Sequence, residues 1–410
     1  MLETSFTLRQ ETPIIHFLHD QPGATLRATE LKPKLDKWLK DNIENIPQSW
    51  ISVTNDKGHT SYDYKISIRP TGNQHRVALE VNEKFDRESR KNKLETAAFP
   101  HLLGNMGGKE FEKDLKNLVL YDGAEIVIKT WHNELLNNLN IELPKLLCNT
   151  NFGNRSGKGF GSFTCLNTPA ILPSLRYCFD WEVQGNNPLQ QQKDLFTAIN
   201  WFYKCLRSGI NQVNREGKTE FYFKSLLFAF AEQKGERWDK FSIKNHFFTG
   251  GDIPKNPVDY RDWLGFSTEE MWGKQYFNQK INKSAEIPPE KGVPGSKKKE
   301  VERLASPILF KPIRTNGNHF KVWFDKVDFP DTEFAKAVIE VKSGNKSSLY
   351  LTPSSKFDFP AFFKFAFEDT DLDEHLDRFD RNGLNPSRHW IYKDFIQPIF
   401  SSIQNNLQPA

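Results

Sequence analysis

Apolar and polar residues alternate from Thr4 to Phe17, with Phe6, Leu8, Ile14 and Phe17 on the apolar side, which predicts a first strand with an edge or bulge at Pro13. Turn residues Asp20-Gln21-Pro22-Gly23 close that segment. The period then lengthens. Leu31, Leu35, Trp38 and Leu39 share one helical face, with Thr29 as N-cap and Pro33 better suited to a first turn than to an interior. Tyr62, Tyr64, Ile66 and Ile68 alternate again as a second strand running to Arg69, and Ala124–Trp131 reads as a third. His132–Leu143 has helical spacing, and Ser162–Leu166 is a short further strand.

Strand, helix, strand, strand, helix, strand is the ferredoxin-like pattern shared with RNA-recognition modules. The remainder reads as a second, less regular copy. It has a strand at Leu175–Val183, an amphipathic helix at Asp194–Ser208, and strands at Arg303–Ile313 and His319–Val327 around the turn Arg314-Thr315-Asn316-Gly317-Asn318. A short charged helix is expected at Asp371–Arg381, and a last one from about Ser387 to Gln404, broken by Pro398. The expected class is therefore α+β: two ferredoxin-like (RRM-like) domains, at residues 1–168 and 169–410, carrying large insertions. One insertion, 84–108, is polar and reads as irregular; the other, 209–290, is rich in aromatic residues; a basic, breaker-rich linker follows at 291–299.

Composition narrows the picture. At 410 residues the chain suits two or three domains, and 34 Phe with 10 Trp supply ample core volume. The net charge of +4 is too small for a polycation, so any nucleic-acid surface must be local. Cys148, Cys165, Cys178 and Cys205 have no metal-ligand spacing and read as reduced core thiols of a cytosolic protein. No signal-peptide pattern opens the chain, and no apolar run approaches membrane-spanning length.

The densest chemistry lies at residues 153–163, Gly-Asn-Arg-Ser-Gly-Lys-Gly-Phe-Gly-Ser-Phe. Backbone N–H groups of such a loop form anion-binding nests, and Arg155 and Lys158 add cations for phosphates. Phe160 and Phe163 either stack on bases or anchor the loop to a core. A nucleotide P-loop is excluded, because Lys158 is followed by Gly159 and not by Ser or Thr. A dinucleotide fingerprint is excluded too, because here the helix precedes the loop and the strand follows it. The bland alternative is a tight helix-to-strand connection without a ligand. His16 and His19, near Asp20, are close enough in sequence to share a proton-transfer site, or are two ordinary histidines at a strand end. His101, His132, His246 and His375 show no metal-ligand spacing.

Three segments together resemble a known family. The loop Gly153–Phe163 resembles the Gly-rich loop of the RAMP superfamily, the RNA-binding proteins of CRISPR effector complexes. Leu26-Arg27, Leu31-Lys32 and Leu35 are similar to the early-helix pattern of the first-numbered Cmr subunit of type III-B complexes, and Arg303 to Ile313, with Ser306-Pro307, is similar to that subunit's Arg-x-x-Ser-Pro-Leu strand. Two features depart from the family: the acidic character of residues 33–38, and insertions without a counterpart. The resemblance implies a non-catalytic subunit of a cytoplasmic type III-B effector complex in antiviral defence, without cofactor, metal or membrane. It would bind guide and/or target RNA through Arg27, Lys32, Gly153, Arg155, Gly157, Lys158, Gly159, Gly161, Arg303 and Ser306, with other Cmr subunits as partners. Two alternatives stand beside it: a metal-independent CRISPR endoribonuclease using His16 and His19, and a stand-alone RNA-binding protein.

Overall fold

The computed structural model describes the chain except residues 17–20, 22, 55–59, 79–80, 87–90, 97–116, 214–218, 273–278, 290–296, 302–303, 328, 377–385 and 408–410; elsewhere between 76 and 119 it describes backbone but almost no side chains. The described chain is mixed α/β, and its sheets are almost wholly antiparallel. It divides into two compact units, Met1–Asn200 with Leu309–Asp325, and Trp201–Ile308 with Lys326–Pro409.

The first unit is built on β1 (Leu2–Gln10), α1 (Ala28–Asn42), β2 (Tyr64–Ala78), β3 (Asn117–Thr130), α2 (Asn133–Asn149) and β4 (Phe163–Cys165). The four strands form one antiparallel sheet in the order β2-β3-β1-β4. Register puts Phe6 opposite Ile126 and Leu8 opposite Ala124, so the inward residues of β1 and β3 meet on one face. Leu31, Leu35 and Leu39 of α1 and Leu135, Leu139 and Leu143 of α2 cover that face, giving a single apolar cluster. A second sheet of the unit joins Tyr177–Glu182 to the hairpin strands Ile308–Asn316 and His319–Lys326.

Several expectations need correction. β1 ends at Gln10, and residues 13–16 leave the sheet. Pro33 lies inside α1, which starts at Ala28 with Arg27 at the N-cap and no side-chain cap bond. An interior proline costs about 3 kcal/mol, but the buried Leu31-Leu35-Leu39 stripe outweighs that loss, as tertiary packing usually does for short helices. The 84–108 insertion begins as part of a hairpin, Val81–Asp86 with Lys91–Thr96, whereas 97–108 lies outside the described residues. Pro398 does not end the last helix but marks a change in its winding: the π-helical turn Tyr392–Ile396 runs directly into Gln397–Asn406, and the wider turn just before the proline accommodates its ring.

The second unit has a different sheet. Its strands run Val258–Asp259, Leu349–Pro353, Val338–Lys342, Lys280–Ile287, Glu269–Met271, with one parallel pair at the start. This order does not repeat that of the first unit. Short capped helices flank the sheet: Ser225 accepts from the Phe228 N–H and Asp358 from the Ala361 N–H. Trp263, Phe334, Phe357 and Phe359 pack ring against ring in the core. Most of the expected basic linker lies outside the described residues, but its end is ordered. Lys299 opens the edge strand Lys299–Val301 on Lys280–Ile287, and Lys298 pairs with Glu286.

Candidate nucleic-acid interface

The Gly-rich loop is a buried connection with a half-buried turn at its centre, where Arg155 Nη2 and Lys158 Nζ are themselves enclosed. α2 ends at Asn149, and the chain turns inward: Asn151 is buried, and its amide donates to the Ser156 carbonyl at 2.8 Å and the Phe310 carbonyl at 2.7 Å. Phe152, Phe160 and Phe163 are each 0% exposed. Phe160 stacks on Phe196 with ring centroids 4.0 Å apart, and Phe163 meets Phe152 edge to face at 6.3 Å. Both aromatic residues of the loop are therefore core anchors and offer no face to a base.

Between the anchors the backbone reverses in a short space. Arg155 takes the left-handed conformation at φ 61°, Ser156–Lys158 forms a single 3₁₀ turn containing Gly157, and Gly159 follows at φ 97°. At Gly161, φ is 69°, and a Cβ would stand 1.8 Å from the Phe152 carbonyl oxygen. The segment leaving β1 receives the loop: Gly161 N–H donates to Pro13 O at 2.8 Å and Asn154 N–H to Ile15 O at 2.7 Å. Thr12 links two loop residues, donating its hydroxyl to Gly159 O and accepting from Ser162 N–H. This explains why β1 stops early; its continuation is spent on the loop.

α1 joins the same assembly. Glu30 accepts from the Gly153 N–H at 2.5 Å and from Lys34, whose ammonium also donates to Asn151 O and lies 4.6 Å above the Phe152 ring. Arg27 precedes Glu30 by one turn, and its carbonyl accepts from Glu30 and Leu31. The fold thus collects Arg27, Gly153, Arg155, Gly157, Lys158, Gly159 and Gly161 around one connection, with Arg27, Arg155 and Lys158 all half-buried. A cavity of about 430 Å³ opens beside the start of α1, lined by His16, Thr25 and Arg27. The buried Thr25 hydroxyl has no hydrogen-bond partner among the described residues.

The other candidates are placed differently. Lys32 points across α1 toward β2, donating to Tyr62 O at 2.8 Å, pairing with Asp36 at 3.2 Å and lying 3.7 Å above the Tyr64 ring. Burial pulls its pKa below the usual lysine value, with Asp36 opposing the shift. Ser306 belongs to the second unit, where its hydroxyl accepts from the Ile308 N–H. Arg303, His19 and Asp20 lie outside the described residues. His16 is 4% exposed, and its Nε2 meets the Thr25 carbonyl at 3.2 Å, bridging the two ends of the β1–α1 connection. Among the described residues no group of His, Cys, Asp or Glu could hold a metal ion, and no helix is long and apolar enough to cross a membrane.

Sequence reasoning missed the buried charges behind the loop. Glu11, 0% exposed, accepts from Thr164 at 2.6 Å, from Arg9 and from the Arg314 N–H, and the Arg9 guanidinium donates in turn to Arg314 O. The Arg9-x-Glu11 pair, at the very end of β1, was the available signal. Lys311, also 0% exposed, donates to Thr150 O and Phe163 O at 3.0 Å each. Burial lowers its pKa to about 7, Cys148 and Glu11 countering only part of that shift. Residues 308–312 are buried on both faces, so no alternation marks Lys311 as inward.

Comparisons with known proteins follow this geometry. Residues 1–210 match the family model for the Cmr1 N-terminal domain, and residues 222–389 match that for the Cmr1 C-terminal domain. Among solved structures, the chain is similar to Cmr1 from Pyrococcus furiosus in its apo form, at 10% identity and TM-score 0.36 over 80% of this chain and 89% of that one. It is also similar to a chain of the type III-B Cmr-beta complex bound to cognate target RNA, at 10% identity and TM-score 0.27; the match spans 40% of this chain and only 58% of that one. A chain of the same complex with target RNA, AMPPnP and single-stranded DNA matches at 10% identity and TM-score 0.30, over 80% of this chain and 95% of that one. No curated protein matches the chain significantly.

Proposed function

The chain belongs to the Cmr1 family, RAMP-superfamily subunits of type III-B CRISPR complexes, and on that premise we propose that its first unit binds an RNA backbone without cleaving it. The observation that carries this reading is the Gly-rich loop. Its anchors are sunk in the core, while its turn carries Arg155 and Lys158 just after Gly153, which Glu30 ties to the first turn of α1. Backbone contact of this kind is indifferent to sequence and leaves specificity to base pairing by a guide. Similar chains sit in Cmr-beta assemblies bound to cognate target RNA. We extend that role here: guide or target RNA and the other Cmr subunits are the partners, and the cytoplasm is the setting.

The β2-β3-β1-β4 order supports a ferredoxin-like reading of the first unit, and the early-helix and Gly-rich motifs fit it. A ferredoxin-like second unit rests on the family alone. Arg303 and Ser306 are likewise carried by family likeness, and we assign Lys32 chiefly to holding α1 on β2. The buried, bonded His16 favours binding over catalysis.

The test is the variant Arg155→Ala with Lys158→Ala. It should weaken binding of single-stranded RNA and flatten the log–log salt dependence by roughly 0.7 per lost phosphate contact. Unchanged affinity and slope would sink the reading, and site-specific cleavage of CRISPR repeat RNA in EDTA would favour the endoribonuclease.

A further inference from the structure

The second unit carries a cavity of its own, of about 650 Å³, a size typical of small-ligand sites. Four cations line it, Arg207, Lys240, Lys244 and Arg261, against two carboxylates, Glu269 and Glu270. Both carboxylates are already engaged. Glu270 accepts from Arg261 at 3.0 Å and from Lys283 at 2.7 Å, and Glu269 pairs with Lys280. Two of the cations are engaged as well, Arg207 with Asp262 and Arg261 with Asp239 and Glu270, so the wall is a largely balanced ionic network to which Lys240 adds a further cation.

Arg261 is the most informative residue. It is 4% exposed; its Nε donates to Asp239 at 2.5 Å and its Nη1 to Glu270, but the buried Nη2 has no hydrogen-bond partner among the described residues. An unused guanidinium donor in a buried wall is costly unless a ligand fills it. Lys240 stands on the same wall, and its ammonium makes no hydrogen bond or ion pair among the described residues. Burial, and next the Arg261 charge, bring its pKa down to about 8 against the opposing pull of Asp239 and Glu270, a cost that an anion between the two cations would relieve. The rest of the lining is aromatic. Phe228 stacks on Trp238 at 5.2 Å, while Phe241, meeting Phe228 edge to face, is 43% exposed on the cavity wall. An exposed aromatic face beside clustered cations suits a flat base linked to a phosphate.

We propose that this cavity binds a single phosphorylated nucleoside, its phosphate on Arg261 Nη2 and Lys240 and its base against Phe241. The ligand is either a free mononucleotide or the phosphorylated end of an RNA strand. The inference goes beyond RNA binding at the first unit and does not depend on it.

The full chain is titrated with 5′-AMP, adenosine, inorganic phosphate and a 5′-phosphorylated hexaribonucleotide, using calorimetry and the fluorescence of wall residues Trp238 and Trp272. AMP should bind saturably, and adenosine and phosphate about ten-fold more weakly or less, because each offers one half of the contact. Lys240→Met and Phe241→Ala should each weaken AMP by about ten-fold while leaving the melting transition in place. Arg155→Ala with Lys158→Ala should leave AMP binding unchanged, which separates this site from the first-unit loop. Displacement of AMP by the phosphorylated hexamer identifies a strand end as ligand, and its failure identifies a free nucleotide. The proposal is overturned if neither AMP nor the hexamer binds, or if binding survives Lys240→Met and Phe241→Ala.

Discussion

Two buried lysines, one in each unit, meet opposite electrostatic fates. Lys311 of the first unit donates to two carbonyl oxygens, those of Thr150 and Phe163, and burial, only partly countered by Cys148 and Glu11, pulls its pKa to about 7. Lys283 of the second unit is also fully enclosed, but Asp262 and Glu270 lie at 2.9 and 2.7 Å. Burial disfavours its charge too; the two carboxylates outweigh that penalty and hold the ammonium above its ordinary value. The lesson is about what each region uses charge for. In the first unit a weakly basic lysine serves as a hydrogen-bond donor, fastening the two flanks of the Gly-rich loop to one strand. In the second, fixed charges neutralise one another and give the cavity a rigid ionic wall.

The largest expected effect comes from breaking that wall. Lys283→Met leaves Asp262 and Glu270 without their shared cation, and removal of one partner from a buried ion pair typically costs about 3–5 kcal/mol. Denaturant unfolding should show a lower midpoint, and an unchanged midpoint would mean that the network is dispensable.

Next comes a pair of glycine variants in the loop. Gly161→Ala drives a Cβ into the Phe152 carbonyl and should cost more than about 2 kcal/mol. At Gly159 the obstacles are side-chain carbons, Pro312 Cγ at 3.1 Å and Ile199 Cδ1 at 3.3 Å, which yield more readily; Gly159→Ala should cost about 1 kcal/mol, mostly for its positive φ. Equal stability losses would contradict this ranking, and so would a loss of RNA affinity at Gly159 with no change in stability.

The smallest effect sharpens the lysine comparison directly. Lys311 has a folded pKa of about 7, below the unfolded value of about 10.4. Between those values the unfolded chain holds more protons, so this group makes stability rise with pH from about 7 to about 10. Lys311→Met should flatten that rise relative to the parent chain, whatever offset its lost hydrogen bonds introduce. Lys283 has the opposite sign: its folded pKa is raised, so its contribution is present throughout that window and fades only above it. An identical pH slope in parent and Lys311→Met would show that Lys311 stays charged.

Local pattern carried the first unit far. The alternation of Phe6 and Leu8, of Tyr62 to Ile68, and of residues 124–131 located three strands, and the 31-35-38-39 and 132–143 spacings located both helices, because each element buries one face and that requirement is written as a period. The glycine density at 153–163 marked a backbone under geometric demand, and left-handed conformations stand there at Arg155, Gly159 and Gly161. Proline punctuation read less well: Pro33 and Pro398 signal local cost, and local cost yields when a stripe of leucines is buried or when a π-helical turn widens the helix just before the proline.

The sequence by itself thus determined the periodic elements and their order in the first unit, the family, and the loop on which the functional reading rests. Tertiary structure decided which charges face inward. Nothing near Glu11, Lys311 or Arg261 in the chain announces that Thr164, Phe163 or Glu270 will satisfy them, because those partners come from residues 153, 148 and 9 positions away. It also decided that Phe160 and Phe163 anchor the loop, that Lys32 holds α1 to β2, and that the second unit builds its sheet in another order. Hydrophobic periodicity is a property of each segment alone, whereas the fate of a buried polar group is set by whatever the fold brings within about 3 Å of it.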